Sequence, residues 1–442
     1  MRDGDDPVND SHVRIGLLGC GTVGGALATL LAQQAATIGS RTGLKLEITR
    51  VAVRDLAKER HVDLPASVFT TDGASITTDP DVDVVVELIG GIDPAKGLVL
   101  DAIRAGKPVV TGNKELLARH GAEVFAAGEN AGVDVLFEAA VAGGVPLIRP
   151  LRESLLGEPV DRVLGIVNGT TNYILTRMTE EGVAYADALA EAKRLGYAEA
   201  DPTADVEGYD AGAKIAILAS IAFGVRVVAD DVSHEGISEI TTDDIAFAGR
   251  KNFVVKLLAV AERFDDDPVP EIAVRVHPLL LPVTHPLAAV RESFNAVFVQ
   301  GSAVGDLMFY GRGAGGDPTA SAVLGDVVDA GLNLRRGAHA SIGYLGDAKI
   351  RPMDELESEY YLSIDTVDRP GVLAAVAGVF GRHEVSIESM EQEGRGDAAR
   401  IVFITHLARE RDVRATVREL RELDAVRRVN SLIRVLGAES GS

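Results

Sequence analysis

A short apolar run at residues 13–18 passes directly into Gly19-Cys20-Gly21-Thr22-Val23-Gly24, and an alanine- and leucine-rich stretch then continues to about residue 36. Few local sequences constrain a fold so tightly. A strand, a tight glycine turn and a helix in this order form the opening unit of a dinucleotide-binding sheet. The first glycine allows the turn, the second lets backbone amides approach a pyrophosphate, and the third lets the helix pack against the strand. The pyrophosphate would lie at the helix N-terminus, where unpaired N–H groups and the helix dipole favour negative charge. Gly19, Gly21, Thr22, Val23 and Gly24 are therefore the first candidate cofactor contacts. Taken alone, the motif also reads as a glycine-rich turn that binds nothing. Cys20 has no histidine neighbour in sequence and reads as a small filler of the loop.

The strand–helix alternation continues. Further buried strands are expected at residues 46–53, 84–89, 108–110 and 133–137, with helical stretches between them, which is the rhythm of an α/β protein with a doubly wound parallel (Rossmann) sheet. An NAD-selective site usually places an acid at the end of the second strand, bonded to the ribose 2′-hydroxyl. This chain has Arg54 there, with Lys58 and Arg60 close behind. Those cations suit a 2′-phosphate, so NADP(H) is the expected cofactor. Asp55 stands next to Arg54 and keeps NAD(H) open, and the cations also read as solvated surface charges.

At 442 residues the chain has room for about three domains, and at 46% hydrophobic it can bury substantial cores. A formal charge of −22 argues against nucleic acid and anionic membrane surfaces as partners. One cysteine permits no intramolecular disulfide, and there is neither a signal peptide nor an apolar run long enough to span a bilayer, so a cytoplasmic location is expected. Residues 1–12 are polar and acidic and read as a disordered arm.

A second chemically dense segment runs from Gly196 to Lys214. It carries Glu199, Asp201, Asp205, Glu207 and Asp210, then Lys214, and turns apolar from Ile215. Asp210 and Lys214 are four apart and share a helix face. A lysine beside carboxylates at a buried helix start is placed to donate a proton; an ordinary ion pair above a solvated acidic loop is the alternative. Glu87-Leu88-Ile89-Gly90-Gly91 and Thr111-Gly112-Asn113-Lys114 both lie at carboxyl ends of expected strands, where open α/β sheets bind ligands. Lys114 reads either as a group that meets a substrate carbonyl or as surface.

With Phe137-Glu138-Ala139-Ala140-Val141-Ala142-Gly143-Gly144-Val145-Pro146, Asn168-Gly169-Thr170-Thr171-Asn172-Tyr173-Ile174-Leu175, Gly196-Tyr197-Ala198-Glu199-Ala200-Asp201-Pro202 and Gly311-Arg312-Gly313-Ala314-Gly315-Gly316-Asp317-Pro318, the chain resembles the homoserine dehydrogenases over about residues 13–345. The resemblance implies reversible reduction of L-aspartate 4-semialdehyde to L-homoserine by NAD(P)H. It implies that Lys214 is the general acid–base with Asp210 as its partner, and that Lys114 is a second lysine near the reacting carbonyl and cofactor. Glu199 and Asp205 would hold the substrate's amino group or hydroxyl. Glu138, Val141, Gly143 and Val145 resemble a site for Na⁺ or K⁺, and Gly315 a late cofactor contact. Asn168, Thr170, Thr171, Asn172 and the amides around them offer donors for the substrate carboxylate, unless that segment is simply a turn capping a helix. Gly112 departs from the alanine common in related chains.

Composition shifts at residues 337–358, read as a linker. Beyond it the pattern is strand, helix, strand, strand, helix, strand over residues 359–437, a ferredoxin-like βαββαβ module. With Asp368-Arg369-Pro370-Gly371-Val372-Leu373 after its first strand, this module resembles an ACT domain, an amino-acid sensor. Pro370 is expected in the first turn of its helix. Asp368 suits an ammonium, Gly371 amides a carboxylate, and Gly378 close packing against a ligand or subunit. The resemblance implies threonine as feedback effector; a purely structural dimerisation module is the alternative. The expected organisation is a nucleotide domain at 13–145 with a return segment at about 312–336, a catalytic and dimerisation domain at 146–311, and the C-terminal regulator, in a homodimer or homotetramer. Two other functions compete: another NAD(P)-dependent reductase of a small amino-acid aldehyde, or a nucleotide-binding sensor without catalysis.

Overall fold

The computed structural model describes residues 11–264, 269–395 and 398–437. The expected arm at 1–12 therefore lies almost wholly outside the described residues, and His12 already belongs to the first strand. The chain forms two compact units. The first comprises residues up to 163, Ala213–Val232 and Asn295–Ala348; the second comprises Leu164–Gly212, Ser233–Phe294 and the chain from Lys349 onward.

The first unit is built on six parallel strands in the spatial order Phe69–Thr70, Lys45–Ala52, His12–Leu18, Val84–Glu87, Val109–Thr111, Val135–Leu136. In chain order this is 3-2-1-4-5-6, the arrangement of a Rossmann sheet. The central strands Val84–Glu87 and Val109–Thr111 are buried along their whole length, as strands covered on both faces are. Ile15, Leu17, Val84 and Val86 are wholly or nearly wholly buried, against Leu27 of the helix Thr22–Thr42 and Val323 and Val327 of the helix Gly316–Arg336. The first helix runs six residues beyond the expected stop, through Gly39, and ends where Gly43 caps it at φ +72°.

The second unit holds the helices Gly169–Glu181 and Tyr185–Leu195 and a long antiparallel pair, Phe253–Phe264 with Glu271–Pro282. The C-terminal module follows the expected βαββαβ order: Glu357–Val367, Val372–Arg382, Ile387–Arg395, Ala398–Thr405, Glu410–Glu422 and Val426–Val435. Its four main strands are antiparallel, and Tyr360, Leu362, Phe380, Phe403 and Leu420 form its core.

Two details differ from expectation. The helix after strand one begins at Val372, not at Pro370. Gly371 caps it at φ +91°, so the chain passes through the left-handed region before the helix starts and Pro370 stays in the turn. The segment 337–358 is held to its surroundings. Within the first unit, Ala340 and Ile342 donate backbone N–H groups to Asp134 and Glu129. Within the second, Lys349–Ile350 pairs with the strand Glu271–Pro282, and Arg351 Nε donates to Glu271 at 2.7 Å. The module also joins the rest of the second unit through its last strand, Leu279 and Leu280 pairing in parallel with Arg434 and Val435.

Candidate active site

The glycine loop shows why each glycine is needed. Gly19 sits at φ +100°, and a Cβ there would meet the Leu88 carbonyl oxygen at 2.8 Å. A Cβ on Gly24 would meet the Gly19 carbonyl oxygen at 2.2 Å. At Gly21, by contrast, nothing lies within 4 Å of that position. Gly21 is also the N-cap and provides no side chain to its helix, so the first N–H groups face open space, as an anion site requires. Thr22 is exposed and Val23 half-buried. Gly315, at φ +121°, caps the helix Gly316–Arg336, and a Cβ at Gly316 would touch Thr22 Cγ2 at 3.2 Å. The return segment thus closes on the glycine loop. Cys20 is half-buried, and burial pushes its thiol up despite the opposing charge of Arg60, which suits a filler better than a nucleophile.

Arg54, Lys58 and Asp55 are exposed just past the second strand. Asp55 Oδ1 accepts the Ala57 N–H at 2.8 Å, while Arg60 donates to the carbonyls of Asp55 and Lys58, each at 2.7 Å. Asp55 and Arg60 therefore organise this loop, and Arg54 keeps the strand-end position.

A second region of the first unit is a cleft of about 240 Å³ lined by Gly90, Gly91, Asn113, Lys114, Lys214 and Gly313, among others. It brings together two lysines from distant motifs. Lys114 is the first residue of the helix Lys114–Ala131, capped by Asn113, whose Oδ1 accepts the Leu116 N–H at 3.1 Å. Asn113 Nδ2 also donates to the Gly91 carbonyl at 2.6 Å. Beneath them lies Glu87, fully buried at the end of an all-valine strand. Its carboxylate accepts the Thr111 hydroxyl at 2.6 Å and the N–H groups of Ile89 at 2.8 Å and Gly90 at 3.1 Å. Glu87 ties the two strand-end loops together. An acid closing a run of valines was the sequence signal for it.

The turn at 141–145 forms one wall. Ala142 and Gly143 are consecutive left-handed residues at φ +54° and +47°. A Cβ on Gly143 would meet the Gly313 carbonyl oxygen at 2.4 Å, and the Gly144 N–H donates to the Arg312 carbonyl at 3.0 Å. The Glu138 carboxylate is buried and accepts the backbone N–H groups of Leu147, Ile148 (2.7 Å) and Arg149 (2.9 Å). That carboxylate is occupied by the fold, which leaves main-chain carbonyls as the donors of the expected cation site. Asp326 accepts the Glu138 N–H at 2.8 Å, and burial pushes its carboxyl up to about 7.

In the second unit, Asn168 caps the helix Gly169–Glu181. Its Nδ2 donates to Asp205 Oδ1 at 2.7 Å and to Asp210 Oδ2 at 2.9 Å. The Thr170 hydroxyl lies 2.6 Å from the Tyr197 carbonyl and 3.2 Å from Asp205 Oδ2. Asn172 Nδ2 donates to the Glu292 carbonyl at 2.8 Å, and its Oδ1 accepts from Lys256 Nζ at 2.9 Å. Of the two readings of this segment, the structure shows the helix cap: Asn168 caps the helix and faces two acids, and Asn172 anchors it. Burial brings the Lys256 ammonium down to about 8. Glu199 is exposed in the loop before Thr203–Val206. Asp210 lies in the first turn of the helix Tyr209–Phe223, and Lys214 follows one turn later.

The C-terminal module has a cleft of about 460 Å³ lined by residues 367–373 with Gln392 and Ile401, so Asp368 and Gly371 face a common space. Gly378 lies outside it; a Cβ there would meet only Arg382 Nη1, at 3.5 Å, among the described residues.

A Rossmann sheet with a glycine-rich pyrophosphate loop, and a cleft lined by two lysines beside its strand ends, defines the chain as an NAD(P)-dependent oxidoreductase. Family models narrow this further: "Homoserine dehydrogenase, NAD binding domain" matches residues 19–138, "Homoserine dehydrogenase" residues 146–328, and "ACT domain" residues 360–425. The homoserine dehydrogenase of Corynebacterium glutamicum is 50% identical over 427 residues, 96% of each chain. That of Synechocystis is 46% identical, over 96% of this chain and 99% of the relative. A crystal structure of a homoserine dehydrogenase from Thiobacillus denitrificans superposes with a TM-score of 0.90 at 42% identity, covering 96% of this chain and 98% of the other. A hyperthermophilic archaeal homoserine dehydrogenase in complex with NADPH has a TM-score of 0.62 at 28% identity, over 73% of this chain and 98% of its own. The chain belongs to the homoserine dehydrogenase family. Among the described residues, no helix is long and apolar enough to cross a membrane.

Proposed function

We propose that the chain reversibly reduces L-aspartate 4-semialdehyde to L-homoserine, with Lys214 as proton donor and NADPH as the preferred reductant. The observation that carries this reading is the meeting of Lys114 and Lys214 on one cleft of the first unit. When bound, the nicotinamide cofactor supplies the hydride. Negative charge then develops on the aldehyde oxygen, where an ammonium both stabilises it and delivers the proton. Lys214 Nζ gives that proton and is left neutral, to be recharged from solvent. Asp210 lies one turn earlier on the same helix, as its carboxylate partner. Lys114, at the positive end of its helix, adds to the field felt by the oxygen. Asp205 and Glu199 take the substrate's ammonium or hydroxyl. Gly19, Gly21, Thr22, Val23, Gly24 and Gly315 receive the pyrophosphate side of the cofactor, and Arg54 its 2′-phosphate.

The main-chain carbonyls of Glu138, Val141, Gly143 and Val145 are hard oxygen donors that suit Na⁺ or K⁺, and such an ion would brace the tight 141–145 turn. The C-terminal cleft suits an amino-acid effector, threonine, with its ammonium on Asp368 and its carboxylate at the Gly371 amides. Assembly as a homodimer or homotetramer completes the reading.

The test is the Lys214→Ala variant, assayed with homoserine at the reduced-nicotinamide absorbance band. Its kcat should fall by about 10²–10⁴-fold while KM for the cofactor barely changes. Near-normal turnover would move proton donation to Lys114 or to water.

A further inference from the structure

We propose that Asn168 is a positioning residue for this reaction: one buried side-chain amide sets the carboxylates of Asp205 and Asp210 relative to each other. The inference rests on the roles proposed above for those two acids. They come from different elements, Asp205 from the short helix Thr203–Val206 and Asp210 from the first turn of Tyr209–Phe223. Asn168 Nδ2 reaches Asp205 Oδ1 at 2.7 Å and Asp210 Oδ2 at 2.9 Å. An amide nitrogen has two hydrogens, so each carboxylate receives one. Asn168 is 4% exposed and Asp210 8%, so the bond between them forms where water competes little and a lost partner is costly, while Asp205 is half-buried.

The orientation of the amide follows from its other end. Asn168 Oδ1 accepts the Thr171 N–H at 2.9 Å as the helix cap. The reverse orientation would point a carbonyl oxygen at two carboxylates and an NH₂ at a backbone donor. The mount is also rigid. A Cβ on Gly169 would meet the Ser293 carbonyl oxygen at 2.9 Å, and one turn on, Asn172 is held by Lys256 and by the Glu292 carbonyl.

Capping alone does not call for asparagine, since serine, threonine and aspartate cap equally well. Of these four, asparagine alone caps a helix and donates to two anions at once. Without that amide, the buried carboxylate of Asp210 and the partly buried one of Asp205 lose the donor they share. Neither carboxylate would then be held in its place relative to the other, and Asp210 would lose its set position one turn before Lys214.

The Asn168→Asp variant separates the two roles, because it keeps the capping oxygen and removes both donors. The inference expects a fall in kcat of at least tenfold at neutral pH, with KM for the cofactor unchanged and the melting profile still cooperative. In the Asp210→Ala background, Asn168→Ala should cost less than threefold more, because one of its two targets is gone and no pair of carboxylates is left to set. Asn168→Asp turnover within twofold of wild type overturns the inference, as does a full multiplicative loss in the double variant. Wild-type turnover in Asp210→Ala overturns the assigned role of Asp210, and this inference with it. A slow Asp210→Ala beside a normal Asn168→Asp overturns only the inference.

Discussion

Gly24 packs so closely on Gly19 that a Cβ at Gly24 would sit 2.2 Å from the Gly19 carbonyl oxygen. The atom in the way is backbone and cannot rotate aside. Gly24→Ala should therefore push the helix Thr22–Thr42 off the first strand and cost about 1–3 kcal/mol, the usual range for overpacking. Denaturant melting measures the loss, and a rise in KM for the cofactor should accompany it, because the same helix presents the N–H groups of the loop.

Arg54 stands at the end of the second strand with its side chain exposed, where an NAD-selective site would hold an acid. Arg54→Ala should raise KM for NADP well above any change in KM for NAD. Initial rates with both cofactors decide this. If the wild-type protein uses NAD as well as NADP, the assignment of Arg54 to a 2′-phosphate is wrong.

Glu410 and Arg434 form a buried ion pair in the C-terminal module, Nε donating to Glu410 Oε2 at 2.9 Å, with the Tyr360 hydroxyl donating to the same oxygen at 2.7 Å. Burial alone would raise the Glu410 carboxyl. The charge and hydrogen bonds of Arg434, with help from Tyr360 and Arg414, outweigh burial and hold it below the usual carboxylate range. Its folded value thus lies below its unfolded value of about 4.3. The resulting stability is fully present above the unfolded value and is lost as pH falls through the folded one. Glu410→Gln should cost about 1.5–3 kcal/mol near neutral pH, because it removes one of the two carboxylates on the buried guanidinium and leaves Glu235, at 2.8 Å, as the other, and its deficit should shrink in acid. Melting curves from pH 7 down to pH 3 give both results.

Asp368 lines the cleft of residues 367–373, whose loop turns through Gly371 at φ +91°. Threonine at a hundred times its dissociation constant should stabilise the wild-type protein by about 2.7 kcal/mol through mass action. Asp368→Ala should lose most of that thermal shift. An unchanged shift would place threonine elsewhere in the molecule.

Features whose signal is local were legible in the residues themselves. The glycine loop, the buried parallel strands and the βαββαβ order of the module each depend on neighbours a few positions away: a glycine where backbone approaches backbone, an apolar run where a strand is covered on both faces. Features that depend on which atoms come within 3 Å after folding were decided by tertiary packing. Lys114 and Lys214 lie a hundred residues apart, yet they line one cleft. Asn168 read as a donor for a substrate or as a helix cap; it is the cap, and its amide donates to Asp205 and Asp210. Residues 337–358 read as a linker, and only the fold adds its contacts: Lys349–Ile350 joins the strand Glu271–Pro282, and the last strand of the module pairs with that same strand. A hydrogen bond vanishes within an ångström of misplacement, and nothing in residue order encodes separation in space at that scale, so the partners of a polar side chain are set only once the core has brought distant segments together.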